Sequence, residues 1–149
     1  LLASSAASDV YKRQISADRV YASGTLFRDL YCSTEFVKDE NVPVIAHAER
    51  YRCLRKGKRL EELIGLDALI QMNYRSVGGS WHDVTARWCR DNLKKGNVHL
   101  MGTDMHNTGN RMPDTKEAMC WMRTYLDRKY LKKITKDNAL RITENKLIR

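Results

Sequence analysis

The chain has 149 residues, 42% of them hydrophobic and 30% charged, and a net charge of +9. That length is enough for one domain with its own core, and the composition is that of an ordinary globular protein. No stretch approaches the ~20 consecutive apolar residues of a membrane span, and the basic balance favours anionic partners without choosing among them.

The four cysteines, Cys32, Cys53, Cys89 and Cys120, form no C-x-x-C pair. This argues against a structural zinc site and for free thiols in a reducing cytoplasm. The basic residues cluster at Arg50, Arg52, Arg55, Lys56, Lys58 and Arg59, and again at Arg128, Lys129, Lys132 and Lys133. No recognition-helix, zinc-finger or RNA-binding signature accompanies them, so no specific nucleic acid is expected.

The chain starts at Leu1. Residues 1–14, rich in Ala and Ser, lack the basic start and apolar core of a signal peptide. They read as a disordered or non-native leader, and residues 15–149 as the C-terminal part of one domain. Between Ser16 and Asp39, Val20, Leu26, Phe27, Leu30, Tyr31, Thr34 and Val37 recur at helical spacing. Val42 to Ala46 is a short apolar run with β-branched residues, a buried strand ending at His47. Lys58 to Ile64 predicts a short helix with Leu60, Leu63 and Ile64 as its apolar face, and Gly65 near its end. Ala68 to Asn73 is a second strand, followed by polar Arg75 and Ser76 and a turn at Gly78-Gly79. Ser80 with Asp83 predicts a helix start, and Gly96 suits the position just after its end near Lys95. Val98 to Thr103 is a third strand. Asp114 to Glu117 opens a helix to about Tyr130, and a last helix covers about Leu131 to Ile142.

Helices alternating with short apolar strands imply an α/β fold with parallel strands and right-handed crossovers. In such folds chemistry gathers at the C-terminal ends of the strands. Here each strand ends in polar groups: His47, Asn73, and Asp104 with His106. Asp104 and His106 are two apart, so in extended backbone they share a side. A hard oxygen ligand beside an imidazole suits a divalent metal such as Mn, Fe or Zn. Arg111 follows, and a guanidinium fork matches a pair of phosphate oxygens. A complete barrel needs about eight strands, so the visible strands read as the C-terminal part of a larger barrel.

Three segments, P-V-I-A-H-A-E-R-Y-R at 43–52, A-L-I-Q-M-N at 68–73 and H-L-M-G-T-D-M-H-N-T-G-N-R at 99–111, resemble the PHP (polymerase and histidinol phosphatase) superfamily. Within it they are most similar to the bacterial tyrosine-protein phosphatases of capsule and exopolysaccharide operons. The resemblance runs from about Tyr21 to Arg149. It implies a partial PHP-type distorted TIM-like (β/α) barrel, with His47, Asp104 and His106 as metal ligands. It implies that Arg50 and Arg111 hold the substrate phosphate and act in catalysis. The implied reaction is hydrolysis of phosphotyrosine by water activated at the metal, usually Mn2+ with Fe or Zn as alternatives, and without a cysteinyl-phosphate intermediate. The implied partner is an autophosphorylated bacterial tyrosine kinase that controls polysaccharide export, in the cytoplasm.

The sequence also departs from the family pattern. Ala48 stands where proline is usual, which should alter a turn and not a ligand, and Thr103 replaces serine. The family's opening H-x-H pair, a further histidine and a bridging glutamate have no match here. His99 is expected to be structural and His82 exposed. This chain alone is therefore expected to be weak or inactive, and a partial barrel, with its exposed strand edges, is expected to associate. Two other readings fit parts of the pattern: another PHP phosphoesterase acting on a small ester such as histidinol phosphate, and a non-catalytic basic module binding nucleic acid or a phosphorylated partner.

Overall fold

A computed structural model describes residues 14–15 (backbone only), 42, 44–104, 114–144 and 146–148. The helix expected over Ser16–Asp39 lies outside the described residues, as do His106 and Arg111.

Among the described residues four strands form one sheet in the order β1-β2-β3-β4: β1 (Gln14–Ile15), β2 (Val44–Ile45), β3 (Leu69–Asn73) and β4 (Leu100–Gly102). Every pairing is parallel, as the alternation of strands and helices requires. Gln14, the last residue of the stretch read as a leader, sits opposite Val44. Ile45 lies opposite Ile70, and Asn73 opposite Gly102, which sets the ends of β2, β3 and β4 close together.

The central strand, β3, is buried along Leu69, Ile70, Met72 and Asn73. Parallel strands covered on both faces carry such near-continuous apolar runs. The core gathers around it from the elements on either side: Tyr51 and Leu54 from the 3-10 turns after β2, Leu60 and Leu63 from α1 (Arg59–Gly65), and Cys89 and Leu93 from α3 (Val84–Lys95). Met122 from α4 (Lys116–Tyr125) and Ile134 close the other side.

Between β3 and α3 the expected Gly78-Gly79 turn is preceded by a one-turn helix, α2 (Tyr74–Gly78). Val77 is fully buried, and a Cβ on Gly78 would stand 3.2 Å from the Ala118 backbone nitrogen. Glycine here permits close approach of α4. The cap of α3 is Asp83, whose carboxylate accepts from the Thr85 N–H at 2.7 Å; Ser80 lies before it, in the turn. Gly96, at φ 78°, ends the helix in the left-handed region as expected.

The helix expected from Asp114 to Tyr130 stops at Tyr125. Leu126 is extended, and Asp127 caps a new helix, α5 (Arg128–Lys132), by accepting from the Lys129 and Tyr130 N–H groups. A π-helical turn at Lys133–Asp137 leads into α6 (Asn138–Thr143). This C-terminal unit grips the start of β4: the Tyr130 hydroxyl donates to the Val98 carbonyl at 2.8 Å, and Asn138 Nδ2 donates to the His99 carbonyl at 2.8 Å.

Candidate functional site

The site forms where β2 and β4 end. His47 and Asp104 both turn out of their strands with left-handed backbones, at φ 54° and 52°. Only Asp67 joins them among the described non-glycine residues with positive φ. His and Asp tolerate this conformation better than most residues, and such backbones concentrate at functional sites. The turn aims the His47 ring across β3 toward Asp104.

The two side chains face each other, with His47 Nε2 3.7 Å from Asp104 Oδ1. That is too long for a hydrogen bond. It suits a shared cation, because two donors each ~2.1 Å from one metal stand at most ~4.2 Å apart. The donor set, one imidazole and one carboxylate, therefore fits a borderline-hard divalent ion. The second oxygen of Asp104, Oδ2, accepts from Arg50 Nη2. The carboxylate thus stands between the position a cation would take and a guanidinium. Its side chain is 13% exposed, against 42% for Arg50, so the arginine reaches in from the surface.

Beside this pair lies a cavity of about 140 Å³ lined by Arg50, Asn73, Arg75, Ser76, Thr103, Asp104 and Asp114. It is large enough for a small oxyanion, and two guanidinium groups line it. Arg75, Ser76 and Asp114 also line an adjoining cleft of about 490 Å³ that extends past Gly78, Gly79 and Asp83.

Glu49 is buried beneath the site, 2% exposed, with Oε1 accepting from Ser76 Oγ at 3.1 Å. Burial pushes its carboxyl above the usual carboxylate range, against opposing contributions from its backbone, Ser76 and His47. Its carbonyl accepts from Arg55 Nη2, which also donates to Thr85 Oγ1 at 3.1 Å. Arg55, from the first basic cluster, thus ties the turn after β2 to α3.

The structure brings His47, Arg50 and Asp104 together. Among the described residues no group of three or more His, Cys, Asp or Glu could hold a metal; His106, the third expected ligand, lies outside them. His99 is structural, its Nδ1 accepting from the Ile70 N–H at 3.1 Å. His82 is exposed and stacks on Trp81. The residue that sequence reasoning passed over is Gln71, whose carbonyl oxygen accepts from the His47 N–H at 2.6 Å. Its signal was a polar side chain two positions before Asn73 in an otherwise apolar strand, hence on the same face.

The family model for capsular polysaccharide synthesis proteins of the CpsB/CapC type matches residues 33–144. Tyrosine-protein phosphatase CpsB of Streptococcus pneumoniae is 32% identical over 112 residues, covering 71% of this chain and 46% of that protein. CpsB of Streptococcus agalactiae serotype V is 33% identical over 82 residues, covering 51% of this chain and 34% of that protein. The chain therefore spans less than half the length of these relatives. A solved structure from work on YwqE of Bacillus subtilis and CpsB of S. pneumoniae, described as unique metal-dependent tyrosine phosphatases, superposes with a TM-score of 0.64. It is 23% identical, and the match covers 91% of this chain and 51% of that one. The likeness carries the fold alone, the expected α/β architecture with parallel strands. With three quarters of its length matched by the family model, the chain belongs to the CpsB/CapC family of capsular polysaccharide synthesis proteins.

Proposed function

We propose that this chain forms part of a metal-dependent phosphotyrosine phosphatase, supplying His47 and Asp104 as metal ligands with His106 as the third. The observation that carries the reading is the 3.7 Å approach of His47 Nε2 to Asp104 Oδ1 at adjoining strand ends, in a chain whose curated relatives are named tyrosine-protein phosphatases. A divalent cation there, Mn2+ by preference with Fe or Zn as alternatives, would supply charge for the phosphoryl oxygens and lower the pKa of a coordinated water.

The chain's own residues do the rest. Arg50 pairs with Asp104 and lines the small cavity together with it, where a guanidinium fork can hold phosphate oxygens. Its hold on Asp104 Oδ2 orients the carboxylate so that Oδ1 faces His47. Arg111 is assigned the second clamp from the sequence. The adjoining cleft offers room for the tyrosyl ring and its peptide. A cytoplasmic tyrosine kinase of a polysaccharide-export system is the partner this reading implies.

The test is metal content by elemental analysis of the purified chain beside a His47→Ala, Asp104→Ala double variant, then single-turnover hydrolysis of a phosphotyrosyl peptide with added Mn2+. The expected result is metal held by the parent and lost in the double variant. In a full-length version that supplies the missing ligands, removing Arg50 or Arg111 should slow hydrolysis by about 10²–10³ if each meets charge that develops in the transition state. Equal metal in parent and double variant would overturn the site. Turnover of histidinol phosphate in preference to the peptide would overturn the substrate class.

A further inference from the structure

We infer that Gln71 and Asn73 form a relay that fixes the tautomer of His47, so that its Nε2 presents a lone pair toward Asp104. Asn73 is thus a positioning residue for metal binding. This rests on the metal-site reading above and assigns a role to two residues that it does not use.

The chain of hydrogen bonds has an unambiguous start. The His47 backbone N–H can only donate, and it lies 2.6 Å from one end of the Gln71 amide. That end must be the oxygen, Oε1. The opposite end is then the NH2 group. It lies 2.9 Å from the Met72 carbonyl, which can only accept, and this agrees. Gln71 Nε2 also lies 3.1 Å from Asn73, so Asn73 must turn its oxygen toward it. That same oxygen, Oδ1, stands 3.1 Å from His47 Nδ1. An oxygen without hydrogen can only accept, so Nδ1 carries the proton. In neutral imidazole the other nitrogen is then bare. The bare nitrogen is Nε2, which faces Asp104 Oδ1. A lone pair aimed at a carboxylate is unfavourable by itself and becomes favourable with a cation between them. Metal-ligating histidines are oriented in this way through their second nitrogen.

Two further observations support the relay. Asn73 occupies the N-cap position of α2, and asparagine is among the best capping residues, yet its side chain makes no capping bond. It is turned to Gln71 and His47 instead. Gly102, opposite Asn73 in the sheet, leaves space for the Gln71 amide: a Cβ there would stand 2.5 Å from Gln71 Nε2.

The experiment uses the full chain and Mn2+ alone. Nitrogen-15 NMR of the imidazoles at pH ~8, above the ordinary histidine range, reads the His47 tautomer without metal. Calorimetric Mn2+ titration then reads affinity in the parent, Asn73→Ala, Asn73→Asp, Gln71→Glu and His47→Ala, each first checked for an unchanged circular-dichroism spectrum. The parent should show the proton on Nδ1. Asn73→Ala should lose that bias and bind Mn2+ about 10–100-fold more weakly, whereas Asn73→Asp, which still accepts, should keep both properties. Gln71→Glu removes the donor, lets the Asn73 amide turn over, and should move the proton to Nε2. A merely structural role for Asn73 would not move the tautomer or be rescued by aspartate. A parent with the proton on Nε2, or Asn73→Ala binding Mn2+ like the parent while His47→Ala does not, overturns the relay alone. His47→Ala binding like the parent overturns the metal site itself.

Discussion

Replacing Tyr130 by Phe should destabilise the protein by about 2–3 kcal/mol while leaving its packing intact. One hydroxyl serves both backbone groups of Val98: it donates to the carbonyl at 2.8 Å and accepts from the N–H at 3.3 Å. Val98 is 1% exposed, so water cannot replace the lost partner easily. A buried polar group left unpaired costs about 1–3 kcal/mol, and the longer N–H contact belongs at the low end. Phenylalanine keeps the ring, so no cavity forms. For a chain of this size the loss should lower Tm by about 6–10 °C. Thermal and urea denaturation of parent and variant measure it, with the urea slope expected to stay the same. The hydroxyl also predicts an alkaline signature. Burial pushes it up to about 12 from 10.0, partly opposed by its bond to Val98. Its stabilisation is complete below pH 10.0 and is lost as pH rises toward 12, because the unfolded chain gives up the proton first. The phenylalanine variant lacks that loss, so the gap between the two proteins should narrow across this window. A Tm shift below ~2 °C, or a gap that stays constant with alkaline pH, would refute the account of Tyr130 as the clamp on β4.

Three further outcomes can be measured in the same way. Asp83→Ala should cost about 1 kcal/mol by removing the acceptor for the Thr85 N–H at the start of α3, read as a shift in the urea midpoint. Gly96→Ala should cost about 1 kcal/mol although nothing lies within 4 Å of the added methyl, because φ 78° is unfavourable for any residue with a Cβ; no change in midpoint would mean the turn relaxes. His99 should give an acid limb. Burial, with Lys133 adding to it, lowers its pKa from 6.5, so its stabilisation is present above pH 6.5 and lost as pH falls through the folded value. Protonation would also place an N–H against the Ile70 N–H that Nδ1 accepts. His99→Asn should therefore lose less Tm than the parent between pH ~7 and pH ~5, and equal losses would remove His99 as the cause.

Strand existence was legible because a parallel strand covered on both faces must be a short apolar run, and the runs around Ile45, Ile70 and Leu100 are that. Their ends were not, because pairing depends on neighbours: Val98 and His99 were read into β4, but it begins at Leu100. The helix break at Leu126 was missed for a related reason. Asp127 competes for the Lys129 and Tyr130 N–H groups and restarts the helix, while helical spacing alone continues through it. The α2 turn was hidden behind Gly78-Gly79, which signal a turn in sequence. In the fold Gly78 serves close contact with the Ala118 backbone, and Val77 pulls the segment into the core.

The candidate site divides along the same line. His47 and Asp104 could be read because each is a polar residue directly after an apolar run, and the parallel topology brings strand ends together. Gln71 showed only its face, as a polar residue two before Asn73; its partner could not be read, because that depends on a register that no local pattern encodes. Asn73 pairs with Gly102, and only that pairing shows why a glycine at 102 opens space for the amide that meets the His47 backbone. A Gly102→Ala substitution joins the two levels. Its methyl would meet only the flexible end of Gln71 at 2.5 Å, with the Asn73 oxygen next at 3.6 Å, so the strand can keep its place while the relay loses its first link. The fold should therefore survive with a Tm change of about 3 °C or less, and Mn2+ affinity should fall about as far as in Asn73→Ala. A Gly102→Ala protein that binds Mn2+ like the parent would show that His47 holds its orientation without Gln71.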